Sequence, residues 1–250
     1  MTLSLRPRHV RAWALIAVLA LVVTAMVTTG LWRNESESTD GPVTPIRQAN
    51  ANAPVALWIG DSYTNGHGAP RPAAGYPCLV SDRLGWTCKL DAQGGTGFVN
   101  DGSGASPANE PLADRLHATS EAVDPDLVVI DAGRNDFAAA PAAFRQEVTA
   151  YLNAARKTYR HAKFVVIEPF ILGRSRFDYS LIDRAVRLAA NGIGATIVDT
   201  TNPAWRRLAD RLPTVDGLHP TARSHRIIAQ HLIKELRRLH IPKSIRPHTT

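Results

Sequence analysis

The chain has 250 residues, of which 44% are hydrophobic and 20% charged, a composition typical of one globular domain with short appendages. Its formal net charge is +7, but the basic residues are spread along the chain without interleaved aromatic residues, unlike the pattern of a nucleic-acid groove. No CxxC motif, HExxH motif or Cys/His cluster occurs, so we expect neither a metal site nor a cofactor. We expect a monomer that does not bind nucleic acid.

Residues 12–32 form an uncharged apolar run about as long as the ~20 residues that cross a bilayer as a helix. The flanking charges are Arg6, Arg8 and Arg11 before the run and Glu35, Glu37 and Asp40 after it. This asymmetry predicts a single-pass membrane anchor, with residues 1–11 in the cytoplasm and the chain beyond it outside. The alternative is a signal peptide, which would be cleaved and leave the protein secreted.

Residues 33–54 are polar and rich in Ser, Asn and Pro, so they bury too little apolar surface to fold on their own. We predict a flexible linker between the anchor and the folded domain. The domain is predicted at residues 55–241 and is followed by a C-terminal tail at 242–250. Both interpretations of the N-terminal segment place this domain outside the cytoplasm.

Short apolar runs alternate with helical patterns from residue 55 onward. The predicted buried strands are Val55–Ile59, Thr87–Ala92, Leu127–Ala132, Phe164–Glu168 and Thr196–Asp199. Apolar residues at helical spacing predict helices around residues 144–159 and 182–189, and a last helix that begins near Pro220. This alternation predicts an α/β fold whose mostly parallel sheet binds ligands beyond the carboxyl ends of its strands.

Two candidate segments follow the first two predicted strands directly. Gly60 permits a sharp exit from the first strand, and Ser62 then lies where backbone N–H groups favour developing negative charge. Gly94 and Gly95, after the second strand, would let a backbone amide approach a substrate closely. Taken alone, each pattern is also common in ordinary turns.

Cys78 and Cys88 are the two cysteines of the chain, and both lie between Ser62 and Gly94 in the sequence. An even number of cysteines in an oxidising compartment favours a disulfide. That interpretation depends on export of the domain. Two buried thiols are the alternative.

Two further candidate segments occur later in the chain. Asn135 and Asp136 follow the third strand; the amide of Asn135 could donate to a substrate while Asp136 braces the loop, and a helix cap is the alternative. Asp216 and His219 lie on the turn before the last helix, where the carboxylate could orient the imidazole. The imidazole could then take a proton from a serine.

Together these four segments resemble the sequence blocks of the SGNH, or GDSL, hydrolase superfamily, named after its catalytic Ser, oxyanion Gly, oxyanion Asn and catalytic His. The resemblance spans roughly the whole exported domain, and its GxND and DxxH blocks are the most specific. It implies a three-layer, flavodoxin-like fold with a five-stranded parallel sheet. The implied triad is Ser62, Asp216 and His219, and the implied oxyanion hole is the Ser62 amide, Gly95 and Asn135.

Two positions depart from the family pattern. Tyr63 replaces the Leu of the GDSL tetrapeptide, which leaves the mechanism intact, and the second block leaves Gly94 as an alternative to Gly95. The implied function is a serine esterase that acts on O-acyl groups of extracytoplasmic carbohydrate or lipid. An acyltransferase would use the same residues, and an inactive envelope-binding module is a third alternative.

Two more side chains are candidates for substrate contacts. His67 lies in the loop after Ser62 and either lines the pocket or is an exposed loop residue. Arg134 either contacts an acidic substrate or forms a salt bridge within its own loop. The sequence leaves these alternatives open.

Overall fold

The computed structural model describes residues 53–173 and 178–241. The predicted cytoplasmic segment 1–11, the predicted anchor 12–32, most of the linker and the tail 242–250 lie outside these ranges. Within them, no helix combines the length and the apolar character needed to cross a bilayer.

The predicted five-stranded parallel sheet is confirmed. Its strands are β1 (Val55–Gly60), β2 (Thr87–Ala92), β3 (Leu127–Asp131), β4 (Lys163–Ile167) and β5 (Thr196–Val198), in the order β2-β1-β3-β4-β5. The pairing sets Gly60 opposite both Ala92 and Asp131. Because these residues end their strands, the chain leaves β1, β2 and β3 at the same edge of the sheet.

Helices cover both faces of the sheet. They are α1 (Tyr76–Leu84), α2 (Leu112–Ala122), α3 (Pro141–Thr158), α4 (Ser180–Gly192), α5 (Pro203–Ala209) and α6 (Ala222–Arg238), with 3-10 turns at Pro72–Ala74 and Arg134–Asp136. Alternate residues of β1 enter different cores: Trp58 packs with α1, α5 and α6, whereas Leu57 and Ile59 pack with α2, α3 and α4. The result is three layers with an apolar core on each side of the sheet.

Some element boundaries differ from those predicted. The last helix begins at Ala222 rather than near Pro220, because the Thr221 side chain caps it by accepting the N–H of Ser224. Helices α1, α2 and α5 were not predicted as elements. Each is short, and in α1 and α2 the buried residues include polar side chains such as Ser81 and Arg115, which obscures the apolar stripe.

A disulfide joins Cys78 of α1 to Cys88 of β2, with their Cα atoms 5.2 Å apart. Closing a loop of this length removes denatured-state entropy worth about 3 kcal/mol at 25 °C in the chain-entropy account. The bond ties α1 to an edge strand of the sheet. Helix α1 begins with Tyr76, whose hydroxyl donates to Asp131 Oδ2 at the end of β3.

Candidate active site

Residues 61–67, which carry Ser62 and are called the nucleophile turn below, follow β1 directly. A Cβ atom on Gly60 would overlap the Thr64 hydroxyl and the Asp131 carbonyl, so only glycine fits where the chain leaves the sheet. The turn is closed by hydrogen bonds from the Tyr63 N–H to Asp61 Oδ1 (2.9 Å) and from the His67 N–H to the Ser62 carbonyl (2.9 Å). Ser62 itself is largely buried, with 8% of its surface exposed.

Asp216, His219 and Ser62 form one chain of hydrogen bonds. The Asp216 carboxylate lies 2.5 Å from His219 Nδ1, and His219 Nε2 lies 2.9 Å from Ser62 Oγ. The carboxylate also accepts the backbone N–H groups of His219 (2.7 Å) and Leu218 (3.0 Å), which fixes the turn. The structure therefore brings the three predicted triad residues together in the geometry that lets an imidazole deprotonate a serine.

The turn that carries His219 is held against the nucleophile turn by Tyr63. The Tyr63 hydroxyl donates to the Leu218 carbonyl at 2.6 Å and accepts the Leu172 N–H at 3.1 Å. Sequence reasoning noted Tyr63 only as a departure from the GDSL tetrapeptide. The phenol couples the two turns in a way that a leucine cannot, because leucine has no hydrogen-bonding group.

Asp216 keeps its charge throughout the ordinary pH range. Burial alone would raise the pKa of this carboxyl, but the N–H donors of His219 and Leu218 and the His219 ring outweigh burial and lower the pKa to about 2. The ionised carboxylate is therefore available to hold the His219 Nδ1–H and stabilise the imidazolium that proton transfer produces.

Replacing Asp216 by Asn should lower kcat/KM by roughly 10²-fold to 10⁴-fold, because the neutral amide stabilises neither the required tautomer nor the imidazolium. Since the folded-state pKa is lowered, the carboxylate is charged at every pH above about 2, and the loss should be present at pH 5 as well as at pH 9. Rates of p-nitrophenyl acetate hydrolysis across that range measure it. Asp82→Asn, at an exposed position on α1, is the control, and a loss seen only above pH 7 would contradict the prediction.

The predicted oxyanion residues lie on the neighbouring loops. Asn135 Nδ2 donates to the Thr96 carbonyl at 2.9 Å, which leaves its second amide hydrogen for a ligand. Within the described ranges, the backbone N–H groups of Ser62, Gly94 and Gly95 donate to no protein acceptor. These are the open donors that a developing oxyanion requires.

The geometry favours Gly94 over Gly95 as the glycine beside the nucleophile. A Cβ on Gly94 would meet Ser62 Cβ at 3.8 Å, whereas Gly95, with φ of +80°, turns towards Ala105 and Gly102. The Gly94 carbonyl is fixed by Asn109 Nδ2 at 2.7 Å. The assignment of either glycine to the oxyanion hole stays a prediction.

Asp136 stabilises the loop after β2 through its carboxylate. Its two carboxylate oxygens accept the backbone N–H groups of Phe98, Val99 and Asn100 at 2.9, 3.0 and 2.9 Å. Burial raises the pKa of Asp136 even though these three donors oppose the rise. The contacts tie the segment after β2 to the turn that presents Asn135.

Arg134 forms a buried salt bridge rather than facing a substrate. Its guanidinium is 3.2 Å from Asp61 Oδ2 and 2.5 Å from Asp131 Oδ1, and its Nε donates to the Phe170 carbonyl at 2.8 Å. The guanidinium also stacks 4.5 Å from the centroid of the Tyr63 ring. Arg134 thus links the residue before Ser62 to the end of β3.

His67 is exposed and its ring lies against the imidazole of His219, with the centroids 4.1 Å apart. The His67 carbonyl accepts Nε2–H of His225 at 2.9 Å. His225 is fully buried, and its Nδ1 accepts the Tyr76 N–H at 3.2 Å. Burial lowers the pKa of His225, which keeps the ring neutral and suits this pattern of one donor and one acceptor.

His67, Asp216 and His219 are also the residues that could hold a metal ion. One ligand atom from each lies within 4.8 Å of the other two. No other group of three or more His, Cys, Asp or Glu side chains within residues 53–173 and 178–241 meets this condition. Sequence motifs did not indicate the cluster, because His67 is distant along the chain from the other two.

Residues 58–227 match the sequence model of the GDSL-like lipase/acylhydrolase family. A search of curated proteins found no match. The match to the family model includes all four candidate segments and most of the sheet.

Three solved structures illustrate the similarity in fold. A carbohydrate esterase family 2 enzyme of Corynascus thermopiles (Myceliophthora fergusii) is 23% identical, with a TM-score of 0.62 over 78% of this chain and 69% of its own. TesA is 20% identical (TM-score 0.57, 74% and 99%). The psychrotrophic esterase EstA from a Pseudoalteromonas species is 17% identical (0.58, 74% and 97%). At these identities the similarity shows a shared fold.

Proposed function

The chain belongs to the GDSL-like lipase/acylhydrolase family and is an SGNH hydrolase, and we propose that it is a serine esterase that cleaves carboxylic esters through an acyl-enzyme at Ser62. The observation that carries the proposal is the unbroken hydrogen-bonded chain from Asp216 through His219 to Ser62 Oγ. An inactive binding module would not need this alignment. The open N–H groups beside Ser62 point to the same chemistry.

In the first step, Ser62 Oγ attacks the ester carbonyl carbon while its proton passes to His219 Nε2. The carbonyl oxygen becomes an oxyanion and accepts hydrogen bonds from the Ser62 amide, a glycine amide and the Asn135 side chain. As the tetrahedral intermediate collapses, the bond to the leaving alcohol breaks and His219 returns the proton to that oxygen. Water then repeats the sequence on the acyl-enzyme, which releases the acid and restores Ser62.

Gly94 is our preferred source of the glycine amide, and Gly95 is the alternative. The preference rests on the position of Gly94 against Ser62 Cβ. The Asn109 contact fixes instead the peptide group that joins Gly94 to Gly95 and so holds the Gly95 N–H, which is the observation in favour of the alternative.

The proposed substrates are O-acyl esters of carbohydrate or lipid outside the cytoplasm. The apolar run at residues 12–32 and the Cys78–Cys88 disulfide support an extracytoplasmic location. Whether the N-terminal segment anchors the protein or is cleaved, the domain would face the envelope. The similar structures include carbohydrate esterases and a lipolytic protein of the G-D-S-L family, so the proposal covers esters of both carbohydrate and lipid.

A fluorophosphonate probe tests the nucleophile directly. Ser62 Oγ should form a bond to phosphorus with loss of fluoride, and the adduct should be found by mass spectrometry on the peptide that contains Ser62. Protein denatured before exposure to the probe is the control, because labelling depends on the folded triad. A stable adduct on another serine, with Ser62 unmodified, would overturn the proposal.

Substrate class and reaction type need two further measurements. A series of p-nitrophenyl esters from acetyl to palmitoyl separates a preference for short acyl groups, typical of carbohydrate esters, from one for long lipid chains. Adding a sugar acceptor and measuring acylated sugar against released acid separates transfer from hydrolysis. Predominant transfer would favour the acyltransferase alternative, which uses the same residues but excludes water from the acyl-enzyme.

Asn135→Ala should reduce kcat by roughly 10²-fold to 10³-fold with a smaller change in KM, because an oxyanion donor acts mainly in the transition state. Steady-state kinetics with p-nitrophenyl acetate measure the effect. Asn153→Ala, at an exposed position on α3, is the matched control. A rise in KM alone would indicate that Asn135 binds the substrate instead of the oxyanion.

A further inference from the structure

The backbone of His67 is held in place beside the triad by contacts on three sides. Its N–H donates to the Ser62 carbonyl and its carbonyl accepts the buried His225 ring, both at 2.9 Å. The next residue, Gly68, lies so close to the turn before the last helix that a Cβ there would overlap the Pro220 carbonyl. The His67 side chain is therefore exposed, whereas its backbone is held in place beside Pro220, the residue after His219.

The His67 ring has an unusual environment for an exposed histidine. It lies 4.1 Å from the His219 ring, centroid to centroid, at an interplanar angle of 42°. In the described part of the chain, neither of its ring nitrogens has a hydrogen-bond partner, and one ligand atom each of His67, Asp216 and His219 lie within 4.8 Å of one another. Two imidazoles and an ionised carboxylate thus converge on one small volume.

We propose that His67, Asp216 and His219 form a binding site for a divalent transition-metal ion such as Zn²⁺, and that occupation of this site inhibits the enzyme. Imidazole nitrogen suits Zn²⁺ and Cu²⁺, whereas Mg²⁺ and Ca²⁺ prefer all-oxygen sites. Bonds of about 2.1 Å in a tetrahedral arrangement place ligand atoms about 3.4 Å apart. Asp216 Oδ2 and His219 Nδ1, now 2.5 Å apart, would separate to admit the ion, and the exposed His67 side chain would rotate to supply the third ligand.

Inhibition follows from the electron pair that the metal uses. Because Asp216 lies on the Nδ1 side of the His219 ring, an ion bound to both residues bonds Nδ1, and the single proton of the neutral ring is then carried by Nε2. A protonated Nε2 cannot accept the proton of Ser62, so the bound ion removes the base. The inhibitory consequence rests on the proposed function, whereas the binding of the metal does not.

The test compares Zn²⁺ binding and inhibition in the full chain, purified without a polyhistidine tag. Loss of a residue that merely supports a ligand lowers metal affinity roughly 10-fold to 100-fold, so His67→Gln should raise both the Kd from calorimetry and the half-inhibitory Zn²⁺ concentration at least about tenfold. Each variant is compared with its own metal-free rate. His117→Gln is the control, because His117 lies 3.5 Å from Glu121 on exposed α2 and could bind metal non-specifically.

Two outcomes would overturn the proposal: equal Zn²⁺ affinity in His67→Gln and the parent protein, or inhibition by Mg²⁺ as strong as by Zn²⁺. Ser62→Ala should keep the parent Zn²⁺ affinity, since Ser62 supplies no ligand. If Ser62→Ala retained hydrolysis while His67→Gln lost Zn²⁺ binding, the proposed nucleophile would be wrong and the metal site would stand.

Discussion

Ser62→Ala is expected to lower kcat/KM for p-nitrophenyl acetate by at least about 10⁴-fold, because it removes the atom that forms the acyl-enzyme. Hydrolysis that remains would come from the oxyanion donors and His219 acting on water, which is a much weaker pathway. The fold should be unaffected, since no hydrogen bond of the Ser62 side chain other than that to His219 Nε2 is seen in the described residues. Far-ultraviolet circular dichroism and the melting temperature check that the variant is folded.

The matched control is Ser120→Ala on α2, whose hydroxyl donates to the His117 carbonyl at 2.7 Å and has no other partner among the described residues. This variant should keep the parent activity. Ser62→Ala should also lose the fluorophosphonate adduct completely. Hydrolysis by Ser62→Ala within tenfold of the parent would exclude a nucleophile at this position, whatever the labelling showed.

The convergence of Ser62 and His219 could be predicted from sequence because it depends on rules that hold for all parallel sheets. A buried apolar run followed directly by Gly60 and Ser62 defines the carboxyl end of a strand, and the turn before the last helix brings the Asp216–His219 pair to the same edge. The spacing of those two residues then allows the carboxylate to reach the ring. Local pattern and general topology suffice for these features.

The contacts that stabilise the site could not be predicted in the same way. The Tyr63 hydroxyl donates to the Leu218 carbonyl, 155 positions later in the chain, and the His225 ring donates to the His67 carbonyl, 158 positions earlier. Both depend on how α6 and its preceding turn pack on the loop after β1, which no local pattern specifies. The pairing of Arg134 with Asp61 and Asp131 was open for the same reason, since a loop arginine after a strand is equally suited to a ligand.

Arg134→Met is the substitution for which we expect the largest loss of stability. Arg134 is 4% exposed, and Asp61 and Asp131 are fully buried, so removing the guanidinium leaves two carboxylates in the interior without their cation. Breaking a buried ion pair from one side typically costs about 3–5 kcal/mol. The stability of Arg134→Lys should lie between those of Arg134→Met and the parent. An ammonium keeps the charge, but it lacks the planar guanidinium that contacts both carboxylates and the Phe170 carbonyl.

The effect of Arg134→Met should depend on pH in a defined direction. Burial already raises the pKa of Asp61, and Arg134 opposes that rise, so the variant should raise the pKa further. A raised folded-state pKa means that stability is kept at low pH, where the carboxyl binds a proton, and is lost as the pH rises through that pKa. The loss in the free energy of unfolding, measured with urea, should therefore be larger at pH 8 than at pH 5. The control is Arg238→Met, which removes a surface ion pair with Glu235 at 2.9 Å and should cost no more than about 0.5 kcal/mol at either pH. A similarly small cost for Arg134→Met would mean that the buried network does not hold the nucleophile turn.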